Sequence, residues 1–181
     1  MSSLGIIFPD QLSENNLVYE HLSSEDDLLL FEPIETFYKH NHHKQKLVFL
    51  LSSLRNLKDP LSSRFNVIHK KIKPKQTTFI GAYLKKLFLE KNYEEIFVTK
   101  PADYETLSEL MFFAQSQCKS LHILEDTKFI SNADDFQSWS DGKKSLVQEF
   151  YYRWLRKKHS ILMEGDKPIS GKWNLDKENR A

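Results

Sequence analysis

Polar side chains that could bind a ligand follow the first two apolar runs of the sequence. Asp10 and Gln11 come directly after the run 4–8, and Glu32 comes directly after the run 28–31. A carboxylate accepts hydrogen bonds and an amide both donates and accepts them, so these side chains could bind a heterocycle or a ribityl hydroxyl. The alternative for Asp10 is a local role, in which its carboxylate caps the following turn.

The densest polar cluster is the segment 40–46, His-Asn-His-His-Lys-Gln-Lys, at the start of a predicted amphipathic helix. As metal ligands its histidines lack a clear carboxylate or cysteine partner at ligand spacing, so no metal site is predicted. The unpaired N–H groups of a helix start would favour a polar or anionic ligand. We therefore select His42, His43 and Lys46 as candidate ligand contacts, with a solvated helix surface as the simpler alternative.

No catalytic residue can be assigned from spacing. Cys118 and the serines show no spacing typical of a nucleophile with its base. The sequence has only 5 glycines and contains neither GxGxxG nor GxxxxGK[ST], which excludes a standard dinucleotide fingerprint and a P-loop and weakens the case for a stand-alone nucleotide-binding enzyme. The basic residues between Arg153 and Lys158 alternate with aromatic residues and could contact phosphates, or could form the solvated face of a helix.

The elements that must position these residues are predicted by two alternating periodicities. Short apolar runs, typical of strands buried on both faces, occupy residues 4–8, 28–31, 65–68, 96–98 and 121–124. Stripes of helical period lie between them at 47–54, 80–88 and 107–114. We predict an α/β fold, a Rossmann-like, doubly wound, mostly parallel five-stranded sheet with the strand 4–8 central and helices on both faces. Such sheets bind ligands at the carboxyl ends of their strands, beside a topological switch point.

Helix ends and the domain boundary are also predicted from the sequence. Asp59-Pro60 is expected to close the first helix, and the segment 100–103 is expected to begin the third. From Asn132 onward the sequence becomes a strongly aromatic helical stretch followed by a polar tail with Gly165, Pro168 and Gly171. We predict an α/β domain over 1–131, and an aromatic helix and linker over 132–181.

Bulk composition limits the class of protein. A chain of 181 residues, 40% hydrophobic, is long enough for one well-buried core. The net charge of +1 gives no global field toward nucleic acid or membrane. A single cysteine excludes a disulfide framework, and no apolar stretch approaches eighteen residues, so a cytoplasmic domain without a membrane partner is expected.

These features together resemble the photolyase-related family of bacterial flavoproteins, which includes the iron–sulfur photolyases and cryptochromes. The resemblance runs through nearly the whole chain in ordered matches: Asp10-Gln11-Leu12-Ser13, Glu32, His42-His43-Lys44-Gln45-Lys46, Thr99-Lys100-Pro101, Phe136, Trp139, Gly142-Lys143-Lys144, Glu149-Phe150-Tyr151-Tyr152-Arg153, Leu162-Met163-Glu164-Gly165, Pro168, Gly171-Lys172-Trp173-Asn174, Asp176 and Glu178-Asn179-Arg180. Pro9 stands where the family usually has glycine, and Thr36 and Lys39 stand where the iron–sulfur members tend to have Glu and Tyr.

The resemblance implies an antenna domain that binds 6,7-dimethyl-8-ribityllumazine. The implied contacts are Asp10, Gln11, Glu32, His42, His43 and Lys46. It also implies a C-terminal partner domain that binds FAD and, in many members, a 4Fe-4S cluster, where light-driven repair of UV-damaged DNA, typically (6-4) photoproducts, takes place. The sequence ends at Ala181, where that domain would begin, so the chain is either a fragment or a single-domain relative, and we do not expect it to be catalytic alone. The alternative is a purely structural α/β module that packs on the flavin domain and holds no chromophore.

Overall fold

The computed structural model describes residues 2–33, 37, 39, 42–71 and 79–173, which fall into two compact units, Met1–Lys128 and Phe129–Ala181. The first unit contains a five-stranded sheet in the order β3-β2-β1-β4-β5, and all of its strand pairs are parallel. Its strands are β1 Ser3–Ile7, β2 Asp27–Phe31, β3 Asn66–Lys70, β4 Glu95–Thr99 and β5 Ser120–Leu124. The predicted fold class and the central position of the first strand are confirmed.

Helices cover both faces of this sheet. The described helices of the first unit are a 3-10 helix at Leu17–Glu20, α1 Lys44–Asn56, α2 Lys58–Ser62, α3 Ile80–Glu90 and α4 Tyr104–Ser116. The 3-10 helix, α1 and α2 contribute to a core with Ile7 and Leu28, whereas α3 and α4 contribute to a second core with Leu4 and Leu29. Because successive strand residues point to opposite faces, each strand supplies both cores.

The helix ends follow capping chemistry, with one difference from the expectation. The side chain of Asp103 accepts a hydrogen bond from the Thr106 N–H at 2.8 Å and caps α4, as the sequence predicts. Asp59-Pro60 does not close α1, which already ends at Asn56, but lies in α2. A proline is tolerated there because the first turn of a helix has no internal partners for its N–H groups.

Gly5 allows the 3-10 helix to lie directly on the central strand. A Cβ atom at this position would stand 2.5 Å from Leu22 Cδ1, 2.7 Å from Val18 Cγ1 and 2.9 Å from Leu28 Cδ1. Side chains from three segments thus fill the space that any other residue would need.

The buried carboxylate of Asp27, at the amino end of β2, bonds to three side chains. Asp27 accepts hydrogen bonds from the Tyr93 hydroxyl and from Asn66 Nδ2 at 2.6 Å, and it pairs with Lys91 Nζ at 3.0 Å. Burial, followed by the bond to Asp27, raises the pKa of the Tyr93 hydroxyl, so Tyr93 remains a neutral donor. We call these four residues the Asp27 network.

The described part of the second unit, residues 129–173, consists of two helices and a short hairpin. They are α5 Ala133–Ser140, α6 Gln148–Lys158, and the antiparallel pair β6 Met163–Glu164 and β7 Lys167–Pro168. Tyr151 of α6 contacts the rings of Phe136, Trp139 and Trp154 at centroid distances of 5.4, 4.9 and 5.9 Å. Among the described residues no helix of either unit is long and apolar enough to cross a membrane.

Most basic residues of α6 form hydrogen bonds or ion pairs within the second unit. Arg156 is 5% exposed and donates to the carbonyls of Ile161 and Leu162 at 3.1 and 2.7 Å. Arg153 pairs with Glu149 at 2.9 Å. Lys158 pairs with Asp135. These cations stabilise the end of the helix and the following turn, where a positive charge is also favoured by the helix dipole.

Candidate functional site

The carboxyl edge of the sheet, where a ligand is expected, begins with a tight turn after β1. The Gln11 N–H donates to the Phe8 carbonyl at 3.0 Å, which closes a β-turn with Pro9 and Asp10 at its centre. Proline suits the first central position of such a turn because its φ is fixed, so Pro9 rigidifies the turn. Asp10 is exposed, and its carbonyl accepts a hydrogen bond from Lys128.

The side chain of Gln11 links the turn to β4, and its Oε1 accepts the Phe8 N–H at 3.4 Å. Its Nε2 donates to the carbonyl of Thr99 at 2.9 Å and to that of Lys100 at 3.3 Å. Asn16 joins the same cluster, since its Nδ2 donates to the Gln11 carbonyl at 2.9 Å and its Oδ1 accepts from the Thr99 hydroxyl at 2.8 Å. The strand order reverses between β1 and β4, so this neutral network occupies the topological switch point itself.

Glu32 lies at the other side of the edge and is fully buried among charged partners. Arg55 of α1 donates to both of its carboxylate oxygens, from Nε at 2.7 Å and from a terminal nitrogen at 2.8 Å. His69 Nε2 lies 3.0 Å from Glu32 Oε1. The paired geometry is the strong, two-bond form of an arginine–carboxylate contact. We call these three residues the Glu32 network.

His69 is a site residue that the sequence analysis missed. Burial lowers the pKa of His69; the hydrogen bond to Glu32 and its charge oppose this, and the charges of Lys71 and Arg55 add to the lowering. The neutral ring donates through Nε2, since Glu32 can only accept, which leaves Nδ1 as an acceptor. Nδ1 is buried and has no partner among the described residues. The signal that could have found it is the strand register: His69 sits inside β3, opposite Leu30, at the end of an apolar run.

The candidate residues His42, His43 and Lys46 lie at the start of α1 and make local contacts there. His43 is the N-cap of the helix, and its Nδ1 accepts the Gln45 N–H at 3.2 Å. Lys46 Nζ lies 3.5 Å from His42 Nδ1. The first turn of α1 contains Lys44 and Lys46 but no acidic residue, so no carboxylate in that turn offsets the positive end of the helix dipole. His40, Asn41, Glu35 and Thr36 lie outside the described residues.

A crevice opens on the α3/α4 face at the carboxyl ends of β1 and β2. Its lining residues are Phe8, Phe31, Pro33, Phe79, Ile80, Glu105, Thr106 and Glu109. The space open to the centre of a water molecule is ≈ 20 Å³, which is room for about one or two waters. Glu109 accepts the Gly81 N–H at 3.3 Å, and burial raises the pKa of its carboxyl group. Phe79, 54% exposed, is the most exposed aromatic residue of this lining.

The six predicted contacts therefore do not line one surface in the described part of the chain. Gln11 bonds toward β4, Glu32 toward α1 and β3, and His42, His43 and Lys46 lie at the start of α1. Asp10 offers an exposed carboxylate. The described residues also contain no group of three or more side chains that could hold a metal ion. Their roles as chromophore contacts remain predictions.

Comparisons with known proteins agree with the motifs and the fold. The chain is 32% identical over 184 residues to a (6-4) photolyase of Agrobacterium fabrum, covering 99% of the chain and 36% of that protein. It is 30% identical over 191 residues to an uncharacterized protein of Acanthamoeba polyphaga mimivirus, covering 99% of the chain and 94% of that protein. Residues 5–181 match the family described as deoxyribodipyrimidine photo-lyase-related protein, and the chain belongs to this family.

Proposed function

We propose that this chain is the antenna domain of a photolyase-related flavoprotein and binds a ribityllumazine-type chromophore in the crevice beside β1 and β2. The observation that carries the proposal is the lining of this crevice, in which Phe8, Phe31 and Phe79 surround a gap at the carboxyl ends of the two strands. Aromatic walls exclude water and stack on a planar ring, and ligands of open α/β sheets bind at this edge.

Polar groups of the same crevice suit the edge of such a ring. Thr106 can donate or accept through its hydroxyl, and Glu109 offers carboxyl oxygens that accept hydrogen bonds. The described space admits only about one or two waters, so binding requires Phe79 to rotate outward. When bound, the chromophore would supply light absorption; the residues of this chain would hold it and keep water away.

The wider role that we propose belongs to a larger protein. In that protein a C-terminal domain would bind FAD. The assembled flavoprotein would also hold a 4Fe-4S cluster and would repair (6-4) photoproducts in UV-damaged DNA. The Agrobacterium relative, of which this chain spans 36%, is named a (6-4) photolyase. The chain alone is not proposed to be catalytic.

The second candidate function is a structural module that packs on the flavin domain without a chromophore. It is favoured because the protein itself already hydrogen-bonds two of the predicted contacts. Gln11 donates to the carbonyls of Thr99 and Lys100, and Glu32 bonds to Arg55 and His69. Groups that are satisfied by the protein stabilise the sheet edge and offer little to a ligand.

Titration of the chain with 6,7-dimethyl-8-ribityllumazine, followed by fluorescence, tests the proposal. Thr106→Val keeps the shape of the crevice but removes its hydroxyl, and should weaken binding about tenfold if that group faces the ring. Asp10→Ala and His43→Ala are the controls, which leave the crevice intact. A loss confined to these two controls would instead place the ring between the Pro9 turn and α1. No binding by the wild-type chain would favour the structural module.

A further inference from the structure

The two edge strands of the five-stranded sheet differ in how they are protected. β3 ends at Lys70 and is followed by Lys71, and α2 contacts it. β5, Ser-Leu-His-Ile-Leu, contains no proline, lysine, arginine or acid, and its register with β4 is continuous. Natural sheets usually block an edge strand with charge, proline or a bulge, because its unpaired backbone groups can bind another strand. β5 has none of these features.

The backbone of β5 offers hydrogen-bonding groups on its free side. The Ser120 N–H donates toward β4 at 3.2 Å, and the Leu124 carbonyl accepts from the residue just after β4 at 2.8 Å. Residues 120, 122 and 124 therefore face β4, and the alternation of a strand turns the N–H and C=O groups of Leu121 and Ile123 outward. Neither group pair has a partner among the described residues. Ser120 is exposed and Ile123 is 39% exposed, so this edge is open to solvent.

The two ends of β5 carry opposite charges. Lys119 precedes the strand, and its ammonium group bonds to Asn92 and Glu94 at 2.9 and 3.3 Å, which leaves one of its three N–H donors. Glu125 follows the strand, and its exposed carboxylate has no ion-pair partner among the described residues. Two antiparallel copies of β5 bring each cation toward the acid of the other copy, whereas two parallel copies bring like charges together. The strand is thus electrostatically complementary to itself in the antiparallel orientation.

We propose that the free edge of β5 pairs with β5 of a second copy of this chain, antiparallel and about a two-fold axis at His122. In this register Leu121 lies opposite Ile123 of the other copy. Since both residues turn their backbone groups outward, the two symmetric pairs exchange four hydrogen bonds. The two His122 residues form the central pair, which has no hydrogen bonds and a Cα separation of about 4.5 Å. The contact joins the two five-stranded sheets edge to edge, with the same surface used by each copy.

The side chains on both faces of the sheet suit this register. On the α3/α4 face, Leu121 packs against the core, so the exposed Ile123 of the other copy gains an apolar neighbour. On the opposite face, His122 stacks on Phe97 at 4.6 Å, and its Nε2 lies 3.1 Å from Glu95. Each central ring is therefore held in place by its own sheet and has a carboxylate beside it.

A weak dimer is expected because the contact is small. Strands of five residues bury less than the roughly 1,200 Å² of a stable interface, so the dissociation constant should be about 10–100 µM. Dimerisation at β5 needs neither a chromophore nor a flavin domain. It therefore succeeds or fails independently of the proposed function.

Sedimentation velocity of the full chain, without a chromophore, at about 5–500 µM tests the dimer. The wild-type chain should shift from monomer to dimer over this range. Ile123→Lys places a cation on the open edge and should raise the dissociation constant about tenfold. Ile169→Lys is the matched control, because it introduces the same charge at an exposed isoleucine of the second unit, and it should leave the dimer unchanged. Circular dichroism checks that both variants are folded.

Disulfide cross-linking tests the register and does not depend on the lysine variants. In a Cys118→Ser background, which removes the native thiol, His122→Cys places two thiols opposite each other at a Cα separation that a disulfide can span. Ser120→Cys is the control on the same face of the strand, because in this register it lies roughly 13 Å from its own copy. After mild oxidation, a non-reducing gel should show about ten times more covalent dimer for His122→Cys than for Ser120→Cys.

Three results would overturn the β5 dimer. One is a wild-type chain that stays monomeric at about 500 µM. The second is an equal loss of dimer in Ile123→Lys and Ile169→Lys, which would assign self-association to another surface. The third is equal cross-linking of the two cysteine variants, which would exclude the register about His122.

Discussion

The two ends of β2 each bury a carboxylate, and they satisfy it differently. At the amino end, Asp27 bonds to a neutral hydroxyl, a neutral amide and one lysine. At the carboxyl end, Glu32 bonds to two atoms of one arginine and to a histidine whose other nitrogen has no described partner. The comparison teaches that the described partners at the amino end satisfy the carboxylate with mostly neutral groups, whereas the network at the carboxyl end leaves one buried acceptor, His69 Nδ1, without a described partner.

Removing the cation from each network should have the largest and most unequal effect. Arg55→Met removes the two-bond arginine partner of the fully buried Glu32 and leaves it beside the neutral ring of His69, and should cost about 3 kcal/mol of unfolding free energy. Lys91→Met should cost about 1 kcal/mol, because Tyr93 and Asn66 still satisfy Asp27. The two cations are matched, with side chains 43% and 41% exposed. Urea denaturation measures both, and equal losses would remove the distinction between the two ends.

The second-largest effect on the free energy of unfolding is expected from the Tyr93 hydroxyl, the neutral donor to Asp27. Tyr93→Phe deletes a hydroxyl that bonds to a buried carboxylate, and should cost about 2 kcal/mol. Tyr151→Phe is the matched control, because its hydroxyl is buried without a partner among the described residues and its loss should be near zero. If the midpoint of thermal unfolding shifts equally in both variants, the hydrogen bond from Tyr93 to Asp27 does not contribute to stability.

The smallest expected effect is a pH dependence of the folding stability that arises from His69 in the Glu32 network. The unfolded chain binds a proton at His69 near its ordinary pKa of 6.5, whereas the folded chain does so only at lower pH. As the pH falls below 6.5 the unfolded state takes up more protons, so stability should fall; above 6.5 this group should contribute no change. His69→Gln should flatten the dependence between about pH 7.5 and 5.

The pH dependence caused by His69 can be separated from that of other titrating groups. Hydrogen bonds from Ser23 and Ser3 outweigh burial and lower the pKa of Asp26, so its stabilisation is lost only below the ordinary carboxyl value of 3.8, outside the window. The ring titration of His69, followed by NMR, should give a pKa below 6.5. An unchanged pH dependence in His69→Gln would show that protons bind elsewhere.

Most of the fold could be predicted from the sequence because its signals are local. The runs at 4–8 and 28–31 lie within one residue of β1 and β2, and the segment 100–103 predicts the helix start that Asp103 caps. The α4 stripe is less accurate: Met111 is 54% exposed, and the buried positions are Thr106, Leu110, Phe113 and Ala114. Periodicity gives the existence of an apolar face, but packing on the sheet decides its direction.

The candidate site was less predictable because its contacts are long-range. The sequence points to Gln11, but its partner Thr99 lies 88 positions away. It points to Glu32 too, yet Arg55 and His69, at separations of 23 and 37 positions, emerge only when α1 and β3 pack beside β2. The sequence shows that polar residues follow strands, but not whether their hydrogen bonds are used by the protein or remain for a ligand.

The central place of β1 has a consequence for how the chain is made. β1 is complete at Ile7, but β4, one of its two partners, is complete only at Thr99. At a synthesis rate of about 5–20 residues per second, the ribosome needs roughly 5–18 s to supply β4. During that interval the apolar edge of β1 is open to any other strand, including one from a neighbouring nascent chain. The early strand of this domain is therefore the segment whose misassembly a cell must prevent by speed or by a chaperone.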